Sequence, residues 1–168
     1  MQSLKSGLEN IHFDDRGPKD DFAIVFLNSL GTDFRVWDKL LYVLGERFRT
    51  VRIDKRGHGF STYFLKYRAD ELQMWRSMLT RTTKSGYIGC CEAIARCDLT
   101  EQAKTINMPT LVLVGEEDGS TPVNLVQNAA SLIRGSIFKV IKKAGHLPCV
   151  EQPNELGSIF LQFLENNK

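Results

Sequence analysis

The chain reads as an α/β fold, a mostly parallel sheet flanked by helices, and three observations predict it. Short runs of branched and aromatic residues, each closed by polar or glycine residues, recur at Phe22 to Leu27, Phe48 to Ile53, Thr110 to Val114 and Ile137 to Ile141. Segments with helical spacing follow the first, third and fourth of these runs. The 168 residues, 42% hydrophobic and 25% charged, have an ordinary globular composition, which argues against disorder and coiled coil and suits one domain with a real core.

The run Phe22 to Leu27 stops at Asn28-Ser29 and Gly31, as a buried strand entering a turn does. Val36, Trp37, Leu40, Leu41 and Leu44 then repeat at helical intervals, with Gly45 placed as a C-terminal cap. A second strand, with Val51 and Ile53 alternating against Arg52, ends at the two-glycine turn Asp54-Lys55-Arg56-Gly57-His58-Gly59. Strand, helix and strand make a βαβ unit, so these two strands should run parallel.

From Asp70 the pattern is helical: Leu72, Trp75, Met78 and Leu79 share a face, and Gly89 to Arg96 reads as a further helix. Alternation resumes with strand Thr110 to Val114, helix Val123 to Ile133 and strand Ile137 to Ile141. Leu156, Ile159, Phe160, Phe163 and Leu164 line one face of a closing helix.

A net charge of +2, with 22 basic residues interspersed among 20 acidic ones, gives no basic stripe, so no nucleic-acid partner is expected. The longest strongly apolar run, Phe22 to Leu27, is far short of the ~20 residues of a membrane span. Glu9, Asp14 and Asp15 stand where a signal peptide would be apolar, so the expectation is a cytoplasmic protein without membrane contact. Cys90, Cys91, Cys97 and Cys149 lack C-x-x-C spacing and His12, His58 and His146 are dispersed, which predicts reduced thiols, no metal site and no cofactor.

Two residues stand out chemically. Asp118 follows one predicted strand and His146 follows the next, so the fold should bring both to the carboxyl end of a parallel sheet, where open α/β folds place their sites. There a carboxylate holds an imidazole in one tautomer while the other ring nitrogen takes a proton from a nucleophile. Singly, each also reads as a loop residue beside a glycine.

Four segments, Leu27-Asn-Ser-Leu-Gly-Thr-Asp-Phe-Arg-Val-Trp37, Arg52-Ile-Asp-Lys-Arg-Gly-His-Gly-Phe-Ser61, Val112-Leu-Val-Gly-Glu-Glu-Asp118 and Gly145-His-Leu-Pro-Cys-Val-Glu-Gln-Pro153, resemble successive landmarks of the α/β-hydrolase family across nearly the whole chain. Within it, the wording around Asn28, Gly86 to Ile94 and the segment beginning at Gly145 resemble the enol-lactonases of aromatic-compound breakdown. The resemblance implies a catalytic His146 and Asp118, with the Leu30 N–H as oxyanion-hole donor. It also implies a small carboxylated lactone as substrate, opened by acyl transfer. Arg76, Arg81 and Lys84 are candidate partners for the substrate carboxylate, with solvated surface charge the plainer reading. The Arg56-Gly57-His58-Gly59 turn reads as structural.

That family presents its nucleophilic serine on a G-x-S-x-G turn, and no serine here is so framed. Cys90 and Cys91 sit in a helical pattern and read as packing residues, so no nucleophile is assigned. After Gly59-Phe60-Ser61-Thr62 the chain passes to Tyr63-Phe-Leu-Lys-Tyr-Arg68, which resembles the later part of the family's helical cap. The expectation is a single truncated α/β-hydrolase domain over residues 1–168, residues 61–106 forming a remnant cap and the central nucleophile strand missing. Impaired turnover follows, with a non-catalytic remnant or binding module as the alternative. Two exposed strand edges, open to homo-oligomerisation, follow as well.

Overall fold

A computed structural model describes residues 2–6, 9–19, 22–55, 58, 77–78 and 80–167. By contacts the chain divides into two compact units, one of Met1–Asp38 and Gly45–Arg96, the other of Lys39–Leu44 and Cys97–Lys168.

The first unit holds a four-stranded sheet in the order β1-β2-β4-β3, of strands β1 (Gln2–Ser6), β2 (Glu9–Arg16), β3 (Ala23–Leu27) and β4 (Arg49–Ile53). β3 and β4 run parallel, from Ala23 opposite Arg49 to Leu27 opposite Ile53, as the βαβ reading expects. A 3₁₀ turn, Phe34–Trp37, leads into α1 (Asp38–Leu44), and Gly45 follows with φ of 65°, the left-handed conformation of a C-terminal cap.

β1 and β2 form an antiparallel hairpin that sequence patterning left unassigned. Charge supports its place, since Asp14 lies directly opposite Arg52 in the β2–β4 ladder and accepts from Arg52 Nη2 at 2.6 Å. Arg52 is only 3% exposed, and a guanidinium that deep is tolerable because Asp14 and Asp38 both pair with it. Arg49 donates to both oxygens of Asp15 at 3.2 and 3.0 Å. Asp54, at the end of β4, takes the Phe34 N–H and His12 Nδ1, each at 2.7 Å, and so joins β2, β4 and the 3₁₀ turn.

β3 has a strand neighbour on one side only among the described residues. Phe26 is buried beside Trp37, ring centroids 5.2 Å apart, but Val25 and Leu27 are 55% and 58% exposed. The helical expectation around Leu72, Trp75 and Leu79, and the segment Tyr63 to Arg68, lie outside the described residues. Ser77, Met78, Thr80 and Arg81 are helical. α2 runs from Lys84 to Arg96, five residues earlier than the apolar spacing suggests, because the Thr83 hydroxyl accepts the Gly86 N–H and caps an otherwise polar first turn.

In the second unit α3 (Thr100–Lys104) precedes β5 (Leu111–Gly115), which pairs in parallel with β6 (Ile137–Ile141). The connection carries α4 (Val123–Ser131), the parallel crossover the alternation predicts. A short α5 (Pro148–Glu151) and α6 (Pro153–Glu165) close the chain, each with proline in its first turn, where a missing N–H costs nothing. Gly157 on α6 lets Val43 and Leu40 of the segment Lys39–Leu44 approach, for a Cβ there would lie 2.5 Å from Val43 Cγ1. Among the described residues, no helix is long and apolar enough to cross a membrane, and no group of three or more His, Cys, Asp or Glu is placed to hold a metal ion. The four cysteines are free thiols.

Candidate functional site

The chemistry gathers where β5 and β6 end. β5 finishes at Gly115, and the next three residues turn sharply, the Asp118 N–H returning to the Gly115 carbonyl at 3.2 Å. β6 finishes at Ile141, followed by the loop from Lys142 to Leu147. Backbone bonds lace the two loops together: Glu116 N–H donates to Ile141 O and Glu117 N–H to Ala144 O, both at 2.9 Å. That approach demands glycine at 115, since a Cβ there would sit 2.1 Å from Gly145 O and 2.3 Å from Ala144 O. Lys143 completes the bend with φ of 52°, a conformation few side-chain-bearing residues adopt.

This lacing sets Asp118 beside His146. The ring Nδ1 lies 3.0 Å from Oδ2 and 3.2 Å from Oδ1 of Asp118. Asp118 is buried, with 8% of its surface exposed, and three further donors hold its carboxylate. The Ser120 and Thr121 N–H groups donate to Oδ1 at 2.8 and 2.9 Å, and the Thr121 hydroxyl donates to Oδ2 at 2.7 Å. Burial alone would raise the carboxyl pKa, but the bonds from the Thr121 N–H and hydroxyl, His146 and the Ser120 N–H outweigh it and hold the group well below the usual carboxylate range. The group is therefore an anion at neutral pH, able only to accept. Nδ1 must carry the proton of a neutral ring, which leaves Nε2 with the lone pair, the arrangement a general base requires. The His146 side chain is half exposed, so that nitrogen can meet a solute.

A residue that sequence reasoning passed over supports the His146 loop. Glu151, at the end of α5, accepts the Gly145 N–H at 2.8 Å through Oε2 and the Leu147 N–H at 3.0 Å through Oε1. The neighbouring Gln152 donates Nε2 to the Lys143 carbonyl at 3.1 Å. Ser120 and Thr121 were also passed over, although a Ser-Thr pair just after an aspartate is the usual signal of a side-chain-capped turn.

Leu30 belongs to the first unit, in the turn after β3. Thr32 N–H returns to Ser29 O at 3.2 Å, and Gly31 supplies φ of 76° at the turn's third residue, as a type II turn asks. Asn28 ties the turn down, donating to the Ser29 and Thr32 carbonyls and accepting the Lys55 N–H at 2.9 Å. The Leu30 N–H takes no acceptor among the described residues. His58 is buried, its N–H on the Lys55 carbonyl, while Arg56, Gly57 and Gly59 lie outside the described residues. Arg81 is half-buried, Lys84 is exposed at the start of α2, and Arg76 lies outside the described residues. Cys90 and Cys91 are half-buried on α2. A separate cleft of about 410 Å³ in the second unit, lined by Leu99, Ala103, Val112, Ala130, Leu132 and Ile133 among others, includes neither Asp118 nor His146.

No family model matches the chain. Among curated proteins, 3-oxoadipate enol-lactonase 1 of Acinetobacter baylyi is 33% identical over 244 residues, which take in 89% of this chain and 91% of that protein. The matched length exceeds this chain's 168 residues, so the match passes over a stretch of the relative that has no counterpart here. 3-Oxoadipate enol-lactonase 2 of the same organism is 37% identical over 75 residues, 45% of this chain and 28% of that protein. Among solved structures, the enol-lactonase from Burkholderia xenovorans LB400 superposes with a TM-score of 0.83 over 98% of this chain and 100% of that one. At 20% identity, that likeness concerns the fold.

Proposed function

The chain belongs to the α/β-hydrolase family, and from that premise we propose that it is a hydrolase of the enol-lactonase type whose acid–base pair is Asp118 and His146. The observation that carries the reading is the buried, fourfold-held Asp118 carboxylate against His146 Nδ1 at 3.0 Å. In this reading Asp118 orients the imidazole and stabilises its cation, and Nε2 removes the proton from the attacking group. The Leu30 N–H stabilises the oxyanion. The substrate is a small carboxylated enol-lactone, with 3-oxoadipate chemistry taken from the relatives' names, and the setting is cytoplasmic breakdown of aromatic compounds. The reading needs no cofactor and no metal.

Acyl transfer also needs a nucleophile, and no serine is framed G-x-S-x-G. We place the lost segment between Phe60 and Tyr63, taking with it the family's nucleophile strand, and the length of the match to the A. baylyi relative supports such a loss. A chain with base and orienter but no serine turns substrate over slowly, through water activated by His146. Association of copies through β3 is part of the same reading, supported by its exposed Val25 and Leu27.

Purified full-length chain, assayed against an activated ester and a carboxylated enol-lactone, tests the reading. Turnover that His146→Ala abolishes supports it. A folded chain with no turnover refutes it in favour of the non-catalytic remnant. Sedimentation over a concentration range tests association, and a monomer at every concentration removes it.

A further inference from the structure

We propose that Glu151 is a positioning residue for the His146 base, an inference that rests on reading Asp118 and His146 as the acid–base pair. His146 sits on an irregular loop between Ile141 and α5, with no helix or strand to fix its backbone. Its two neighbours along the chain, Gly145 and Leu147, both give their N–H to the carboxylate of Glu151, at 2.8 and 3.0 Å. One carboxylate thus spans the peptide units on either side of the base and fixes where its Cα and ring axis stand. Gly145 leaves room for this, since a Cβ there would lie 3.2 and 3.3 Å from the two carboxylate oxygens.

Upstream of Gly145 the loop is held at three further points, none of which does this work. Glu117 N–H holds the Ala144 carbonyl, Gln152 holds the Lys143 carbonyl and Glu116 Oε2 takes the Lys143 N–H at 3.4 Å, all before Gly145. Without the Glu151 carboxylate the Gly145 and Leu147 N–H groups lose their acceptor, and what still holds the segment is the His146–Asp118 bond and the Leu147 carbonyl, which accepts the Val150 and Glu151 N–H groups. The ring of a half-exposed histidine then swings away from Asp118 and exchanges its Nδ1–H tautomer for the one protonated at Nε2, whose Nε2 has no lone pair left to take a proton. A carboxylate is needed rather than a carboxamide, since glutamine has one acceptor oxygen where two N–H groups must be met.

The test is the tautomer of His146, read from the side-chain ¹⁵N shifts of full-length protein at about pH 8, where histidine is ordinarily neutral. Wild type, Glu151→Gln and Glu151→Ala are compared, with thermal unfolding recorded for each. In wild type the Nδ1-protonated form is expected to dominate. In Glu151→Ala that dominance is lost and the two nitrogen shifts converge, while cooperative unfolding remains, and Glu151→Gln lies between. An unchanged tautomer in a folded Glu151→Ala overturns the proposal. So does failure of both variants to fold, which makes Glu151 a residue of the fold alone. If wild type itself lacks the Nδ1-protonated form, the acid–base pair is wrong and the inference falls with it, an outcome distinct from the other two.

Discussion

Gly115→Ala is the sharpest test of the laced loops, because one methyl group meets two carbonyl oxygens. The new Cβ would stand 2.1 Å from Gly145 O and 2.3 Å from Ala144 O, with the Ala144 carbonyl carbon at 2.7 Å. These neighbours are backbone, so no rotamer change relieves the overlap, and the His146 loop must retreat by about 1 Å or more to restore ordinary contact. A retreat of that size stretches the Glu117–Ala144 bond, now 2.9 Å, past any useful length and carries His146 away from Asp118. Overpacking of this kind costs about 1–3 kcal/mol. The lost backbone bond adds about 1 kcal/mol. A total of about 2–4 kcal/mol lowers the unfolding midpoint by about 5–15 °C for a chain of this length. Thermal and urea unfolding of wild type, Gly115→Ala and Gly119→Ala measure it. Gly119, in the same turn, has nothing within 4 Å of its would-be Cβ, so its substitution should stay within about 0.5 kcal/mol of wild type. A Gly115→Ala protein as stable as Gly119→Ala would show that the two loops do not meet as described.

Asp118 has a depressed pKa when folded, so its stabilisation is complete above the unfolded carboxyl value of 3.8 and drains away as pH falls through the lower folded value. Asp118→Asn should accordingly flatten the loss of stability below about pH 4, and identical acid profiles by urea unfolding would contradict this. Gly89 lies inside α2 with open space around its would-be Cβ, so Gly89→Ala should raise stability by about 0.5–1 kcal/mol, a gain that unfolding titrations can resolve. Burial pushes the Cys149 thiol up to about 11, while Cys97 is exposed. Iodoacetamide at neutral pH should label Cys97 and spare Cys149 until the chain unfolds, and mass spectrometry of the native protein would expose equal labelling.

The parts of the fold legible in the sequence are those whose burial leaves a pattern. β6 matches its apolar run residue for residue, β3, β4 and β5 match theirs within a residue at each end, and the closing helix carries its apolar stripe. The N-terminal hairpin was not legible because its pairing partners are charged: Asp14 meets Arg52 and Asp15 meets Arg49, and neither partner is near in sequence. α4 ends at Ser131 rather than Ile133 because Leu132 and Ile133 turn back onto the Ala129 and Ala130 carbonyls, a capping detail that apolar spacing cannot register. Asp118 and His146 were legible because topology alone carries two strand ends together. Glu151 was not, since its role lies in two backbone N–H groups that no residue type announces.

Every group that surrounds the His146 ring, from Gly115 through Asp118 and Thr121 to Glu151, comes from one continuous stretch of chain within a single unit. Such a stretch is inherited as a piece. The hydrogen bonds that set Asp118 against His146 all lie inside it, so the pairing of these two residues calls on no side chain from the other unit.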